Sequence, residues 1–141
     1  MPLYPPPPPP PVSAACSGSL TLPASLAYAD VTGCAVTLSI GNWLVIGVFD
    51  FTEAGAGDVG DTFAGRLVTG TATCTITNST ALALWRIAAL NNGCTASQVY
   101  WVNVTVAGTV KLQAAKAAAG AGTSVAGIIH TTITAVWLGQ P

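Results

Sequence analysis

Trp43-Leu44-Val45-Ile46-Gly47-Val48-Phe49-Asp50-Phe51 is the stretch from which the fold is read. It carries one charge and is apolar at nearly every position. Along a strand, Trp43, Val45, Phe49 and Phe51 point one way, and Leu44, Ile46 and Val48 point the other. A strand apolar on both faces needs cover on both, so the spacing predicts the centre of a β-sandwich or the inside of an oligomer. A helix fits less well, because Val, Ile, Phe and Trp favour strands and Gly47 interrupts the run.

Working outward, Ala35-Val-Thr-Leu-Ser-Ile40 alternates with period two, Val36, Leu38 and Ile40 inward against Thr37 and Ser39. Gly41-Asn42 then reads as a two-residue hairpin turn that brings the central strand back beside it. Leu20 and Leu22 suggest a short edge strand ended by Pro23. Further strands are expected over 63–68, 71–77 and 81–88, the last carrying Trp85. Residues 98–106 read as a strong strand, with Tyr100, Val102, Val104 and Val106 on one face and Trp101, Asn103 and Thr105 on the other. Ala107-Gly108 reads as a tight turn into a strand with Val110, Leu112 and Ala114 inward. Residues 115–123 read as an Ala/Gly loop, because Gly120 and Gly122 stop any helix short of two turns. Ile129, Ile133, Ala135 and Trp137 share one face of a closing strand, with His130 on the other. The expected class is all-β: an antiparallel sandwich or jelly roll of about 8–10 short strands.

The chain of 141 residues is long enough for one domain. It is 51% hydrophobic, only 6% of its residues are charged, and its net charge is −1. Typical soluble domains carry about 25% charged residues. So ion-poor a surface is expected to be hidden against copies of the chain or a partner, unless the abundant Thr, Ser, Asn and Gly solvate it. Arg66, Arg86, Lys111 and Lys116 are scattered, and a phosphate backbone needs clustered basic residues, so no nucleic-acid partner is expected. No apolar run reaches the roughly 18–20 residues of a membrane helix, so no membrane partner is expected either. The chain opens on prolines where a signal peptide has a basic region, which points to assembly in a cytoplasm.

Pro5, Pro6, Pro7, Pro8, Pro9, Pro10 and Pro11 form an unbroken run that must adopt polyproline II, a stiff rod of about 20 Å. It cannot enter a sheet, since proline lacks the ladder donor. Leu3 and Tyr4 before it and Val12 after it are apolar, which suits insertion into a neighbour. Two parts are expected: a proline-rich arm over 1–17 and a sandwich over 18–141. The whole arm from Leu3 to Val12 is the candidate partner-binding segment. Trp43, Tyr100, Trp101 and Trp137 are candidate anchors at an oligomer interface, where Trp and Tyr concentrate.

Catalytic and ligand motifs are weak. Gly55-Ala-Gly57-Asp-Val-Gly60 follows a strand, but no helix follows it to receive a pyrophosphate, and Asp58 and Asp61 repel one. Asp50, Glu53, Asp58 and Asp61 share one loop but fit no calcium-loop spacing, and a rigid acid–base pair is not expected there. His130, the sole histidine, has no nucleophile and orienting group around it and reads as a core or interface residue. Asn78-Ser-Thr80 and Asn103-Val-Thr105 fit the glycosylation triplet at a frequency that so much Thr makes unremarkable by chance. Cys16, Cys34, Cys74 and Cys94 match no zinc spacing and allow three pairings; disulfides and buried thiols both remain open. No cofactor, metal or enzymatic activity is expected.

Gly41-Asn-Trp-Leu-Val45, residues 102–106 with Val110-Lys-Leu-Gln-Ala-Ala115 as a late hairpin, and Ile133-Thr-Ala-Val-Trp-Leu-Gly139 together resemble small tailed-bacteriophage virion proteins. Those have a jelly roll of the tumour-necrosis-factor type. The leader Met-Pro-Leu-Tyr-Pro-Pro resembles those of phage structural proteins, while the four cysteines depart from the pattern. The resemblance spans residues 33–139. It implies a homotrimer formed through the outer face of one sheet, located on the virion. The implied role is a capsid decoration (cement) protein bound to the major capsid protein, or alternatively a head or tail fibre domain for host attachment.

Overall fold

The computed structural model describes residues 7–22, 27–53, 62–79, 83–86, 93–117, 124–126 and 130–140. The chain is all-β, with eleven strands among these residues: β1 (Val12–Ala15), β2 (Leu20–Leu22), β3 (Ala29–Leu38), β4 (Gly41–Glu53), β5 (Thr62–Thr69), β6 (Thr73–Thr77), β7 (Ala83–Arg86), β8 (Gly93–Val106), β9 (Gly108–Ala117), β10 (Ser124–Ala126) and β11 (Thr132–Gly139). They form a seven-stranded and a four-stranded antiparallel sheet, packed as a sandwich.

The central-strand expectation holds. Along one edge β4 pairs with β8 from Gly41↔Val104 to Thr52↔Gly93. Along the other it pairs first with β11 and then with β10. β1 extends the sheet beyond β11, β2 beyond β10 and β6 beyond β8. The smaller sheet runs β3-β9-β5-β7.

Period-two patterning builds the core. Trp43, Val45, Phe49 and Phe51 are buried, as are Tyr100, Val102 and Val104 from β8 and Ile133 and Ala135 from β11. From the other sheet come Val36, Leu38, Phe63, Leu67, Val110, Leu112 and Ala114. Phe51 stacks on Phe49 at 5.9 Å and on Phe63 at 5.0 Å, joining the two layers. Each such side chain contributes about 1.5–3 kcal/mol by leaving water.

Several expectations change. Gly41-Asn42 is not a hairpin turn: β3 lies in the small sheet and β4 in the large one. The expected late hairpin is likewise a crossing, since β8 and β9 belong to opposite sheets. In both cases each strand turns its apolar face to the core between the two sheets. The connection from β5 to β6 also crosses, and it is stitched to the β8–β9 crossing. The Gly70 N–H donates to the Thr109 carbonyl at 2.8 Å, and the Thr109 N–H donates to the Thr71 hydroxyl at 2.9 Å. Residues 115–117 continue β9 instead of starting a loop, because β5 pairs with them as far as Thr62↔Ala117. β4 and β8, at 13 and 14 residues, are longer than the short strands expected.

The arm ends sooner than residue 17. Val12 opens β1, which pairs with β11 from Val12↔Ala135 to Ala15↔Thr132. Val12 is the first residue after the prolines with an N–H to donate, so pairing starts there. Residues 7–11 lie outside any strand and are exposed, apart from half-buried Pro9.

Candidate functional site

The large sheet has two faces, and among the described residues only one is packed against the second sheet. On the outer face, Leu44, Ile46 and Val48 of β4 are half-buried. Register gives them neighbours. Leu44 lies opposite Trp101 on β8 and Val136 on β11, and Ile46 opposite Val99 and Thr134. Val48 lies between Ser97 and Thr132. Cross-strand neighbours of this kind stand about 5 Å apart, so Leu44, Ile46, Val99, Trp101 and Val136 form one apolar surface, and Val48 sits at its edge between two hydroxyl residues. Trp101 is 55% exposed, Val99 41% and Leu138 45%. Polar residues rim the patch: Thr75 and Thr77 on β6, Ser13 on β1.

At one end the patch dips into a depression of about 430 Å³ lined by Trp101, Leu138, Thr77, Asn42 and Asn103. The two amides are set by their neighbours. Asn103 Nδ2 donates to Asn42 Oδ1 at 2.7 Å, and Asn42 Nδ2 donates to the Gln140 carbonyl at 3.0 Å.

The outer face of the small sheet has the opposite character. Asp30, Gln113 and Arg66 form one cross-strand row. Arg66 donates twice to Gln113 Oε1, at 3.0 and 2.8 Å, and its guanidinium stacks 3.7 Å over the Tyr28 ring. Gln113 Nε2 donates to Asp30 Oδ1 at 2.8 Å, and Lys111 Nζ pairs with Asp30 Oδ2 at 2.5 Å. The hydrogen bonds from Lys111 and Gln113 hold the Asp30 carboxyl below its usual value. One outer face is therefore greasy and the other ionic.

Of the four candidate anchors, the structure brings one to the outer patch. Trp101 is there. Trp43 and Tyr100 are core residues, 2% and 0% exposed, because they share the inward parity of Val45 and Val102. The Trp43 indole N–H donates to the Ser39 carbonyl at 2.9 Å, so its polar atom is also satisfied within the chain. Trp137 faces inward at the sheet end, half-buried and packed on the core. Leu44, Ile46 and Val48, the second apolar side of the central strand in the sequence, belong to this face, as do Val99 and Val136, which are not among the four candidate anchors. Their signal was the second apolar parity of β4, matched by Val99 and Trp101 on β8.

In the arm, Leu3, Tyr4, Pro5 and Pro6 lie outside the described residues. Val12 packs against the core of its own chain and is no free docking residue. The glycine-rich motif at 55–60, with Asp58 and Asp61, also lies outside the described residues. His130 is an exposed turn residue rather than a core one, since β11 begins only at Thr132. Among the described residues no three His, Cys, Asp or Glu side chains gather as a metal site, and no helix is long and apolar enough to cross a membrane. No protein-family model matches the chain, and no curated protein matches it significantly.

Proposed function

We propose that the chain is a virion structural protein of a tailed bacteriophage, a homotrimeric capsid decoration protein that reinforces the shell. The observation that carries this reading is the outward apolar face of Leu44, Ile46, Val99, Trp101 and Val136, on which no other described strand packs. A chain with 6% charged residues gains by burying such a face against its own copies. The proline rod ahead of Val12 then serves as the attachment arm to the major capsid protein. Its preset conformation lowers the ordering cost of docking. Three arms on one body give avidity without a strong single contact.

Two experiments test this. Sedimentation of the full chain should give a trimer, and Trp101→Asp should give a monomer. A monomeric parent chain at micromolar concentration overturns the assembly. Undecorated capsids should bind the parent chain and lose it when residues 1–11 are removed. Binding to host cells but not to capsids instead selects a head or tail fibre domain.

A further inference from the structure

A bend in β3 brings Cys34 to Cys16. The register of β3 with β9 shifts between Asp30 and Ala35, so residues 31–34 leave the ladder. There they meet the residues that follow β1. The Ser17 N–H donates to the Thr32 carbonyl at 3.0 Å. Gly33 has φ +87°, and a Cβ on it would stand 2.7 Å from the Ala15 carbonyl oxygen and 2.8 Å from the Ser17 nitrogen. Only glycine allows so close an approach. The neighbours of Cys16 therefore touch the neighbours of Cys34 backbone to backbone.

The Cys16 backbone and the Cys34 thiol also share one acceptor, while the Cys16 thiol donates to the Gly18 carbonyl at 2.7 Å. The Thr131 carbonyl oxygen accepts the Cys16 N–H at 2.9 Å and the Cys34 thiol at 3.3 Å. Both residues are buried, Cys16 at 9% exposure and Cys34 at 0%. All four cysteines are thiols. Cys74 and Cys94 have no such arrangement. Cys74 pairs with Val104 near one end of β8, and Cys94 sits near the other end, opposite Phe51. That separation is about 30 Å at strand spacing, far beyond disulfide reach.

We propose that Cys16 and Cys34 are a disulfide-forming pair that, on meeting a low-molecular-weight disulfide, locks the base of the arm to the β3 bend. Cys16, the more accessible of the two, attacks a sulfur of oxidised glutathione as its thiolate. One glutathione leaves as a thiol, and a mixed disulfide remains on Cys16. The Cys34 thiolate then attacks the Cys16 sulfur, the Cys16–Cys34 bond forms, and the second glutathione departs. The protein loses two protons and two electrons, and the oxidant becomes two thiols. This inference does not depend on the virion reading. In the folded chain burial, and then the neighbouring Cys16, push the Cys34 thiol up to about 12, which keeps its reactive form scarce near neutral pH. Closure is therefore faster while the chain folds than afterwards.

The test refolds the full chain in oxidised glutathione, alongside a Cys74→Ser/Cys94→Ser variant that retains only this pair. The expected product has lost the mass of two hydrogens and yields a Cys16–Cys34 linked peptide on non-reducing digestion. Its thermal midpoint is higher by roughly 10 °C, and a reductant removes the gain. Cys34→Ser should stop at a glutathione adduct on Cys16. Should the double variant not fold, the peptide map of the parent chain decides alone. Links through Cys74 or Cys94, or full alkylation of both Cys16 and Cys34 after refolding, overturn the proposal.

Discussion

A Cβ on Gly65 would stand 2.5 Å from Cδ1 of Phe49, so the Phe49 ring occupies the space that any other residue at 65 would need. That ring stacks on Phe51, which stacks on Phe63 of the opposite sheet. Gly65→Ala should therefore displace the aromatic stack and cost about 1–3 kcal/mol in urea unfolding. Gly18→Ala is the control. Nothing lies within 4 Å of its Cβ, and its effect should stay within about 0.5 kcal/mol. Equal effects from the two would show that the ring does not depend on the glycine.

Two tryptophans on neighbouring strands should separate stability from assembly. Trp43→Ala removes a buried ring at one end of the core and leaves the Ser39 carbonyl without its donor, costing about 3–5 kcal/mol. Trp101→Ala removes a side chain that already faces out, and in dilute solution should cost under about 1 kcal/mol. Urea midpoints at concentrations below self-association read both. A large loss from Trp101→Ala in the monomer would mean that the indole packs on its own chain.

Acid should weaken the small sheet slightly. Asp30 has a lower pKa folded than unfolded, so its contribution is present above the ordinary value of 3.8 and is lost as pH falls through the folded value. The ion pair with Lys111 is half-exposed, which limits it to about 0–1 kcal/mol. Asp30→Asn should therefore lower the urea midpoint modestly at pH 6 and leave it nearly unchanged at pH 2.5.

Alkali should act in the opposite sense and more strongly. Burial pushes the Tyr100 phenol up to about 12 from 10.0. Burial, with Asp50 nearby, pushes the Cys94 thiol up to about 11 from 9.0, and Cys34 rises further. Each group holds its proton more tightly folded, so its contribution is complete below the unfolded value and is lost as pH rises toward the folded one. Unfolding midpoints should fall from about pH 9 upward. Tyr100→Phe should make the decline above pH 10 shallower; an unchanged slope would exclude the phenol as a contributor.

Much of the fold was legible in the chain itself. Alternation at 35–40, 43–51, 98–106 and 128–138 places strands and most of their inward residues, because a pleated strand sends every second side chain to one side. But β3 stops at Leu38 and β11 starts at Thr132, and Ile40 and Val106, expected inward, are 49% and 55% exposed. The pattern could not say which strands share a sheet. A turn such as 41–42 looks alike whether the chain folds back beside itself or crosses to the other layer, and only the pairing of β3 with β9 and of β4 with β8 decides between them.

The candidate site followed the same division. The sequence alone determined that the chain is β-built, poor in ions, and apolar on both sides of its central strand. Tertiary structure decided which side the second sheet covers, burying Trp43 and Tyr100 and leaving Leu44, Ile46 and Trp101 outside. It also decided that Cys16 and Cys34, far apart along the chain, meet at Thr131. Periodicity is a local property of a strand, whereas burial depends on which distant segment comes to lie on top of it.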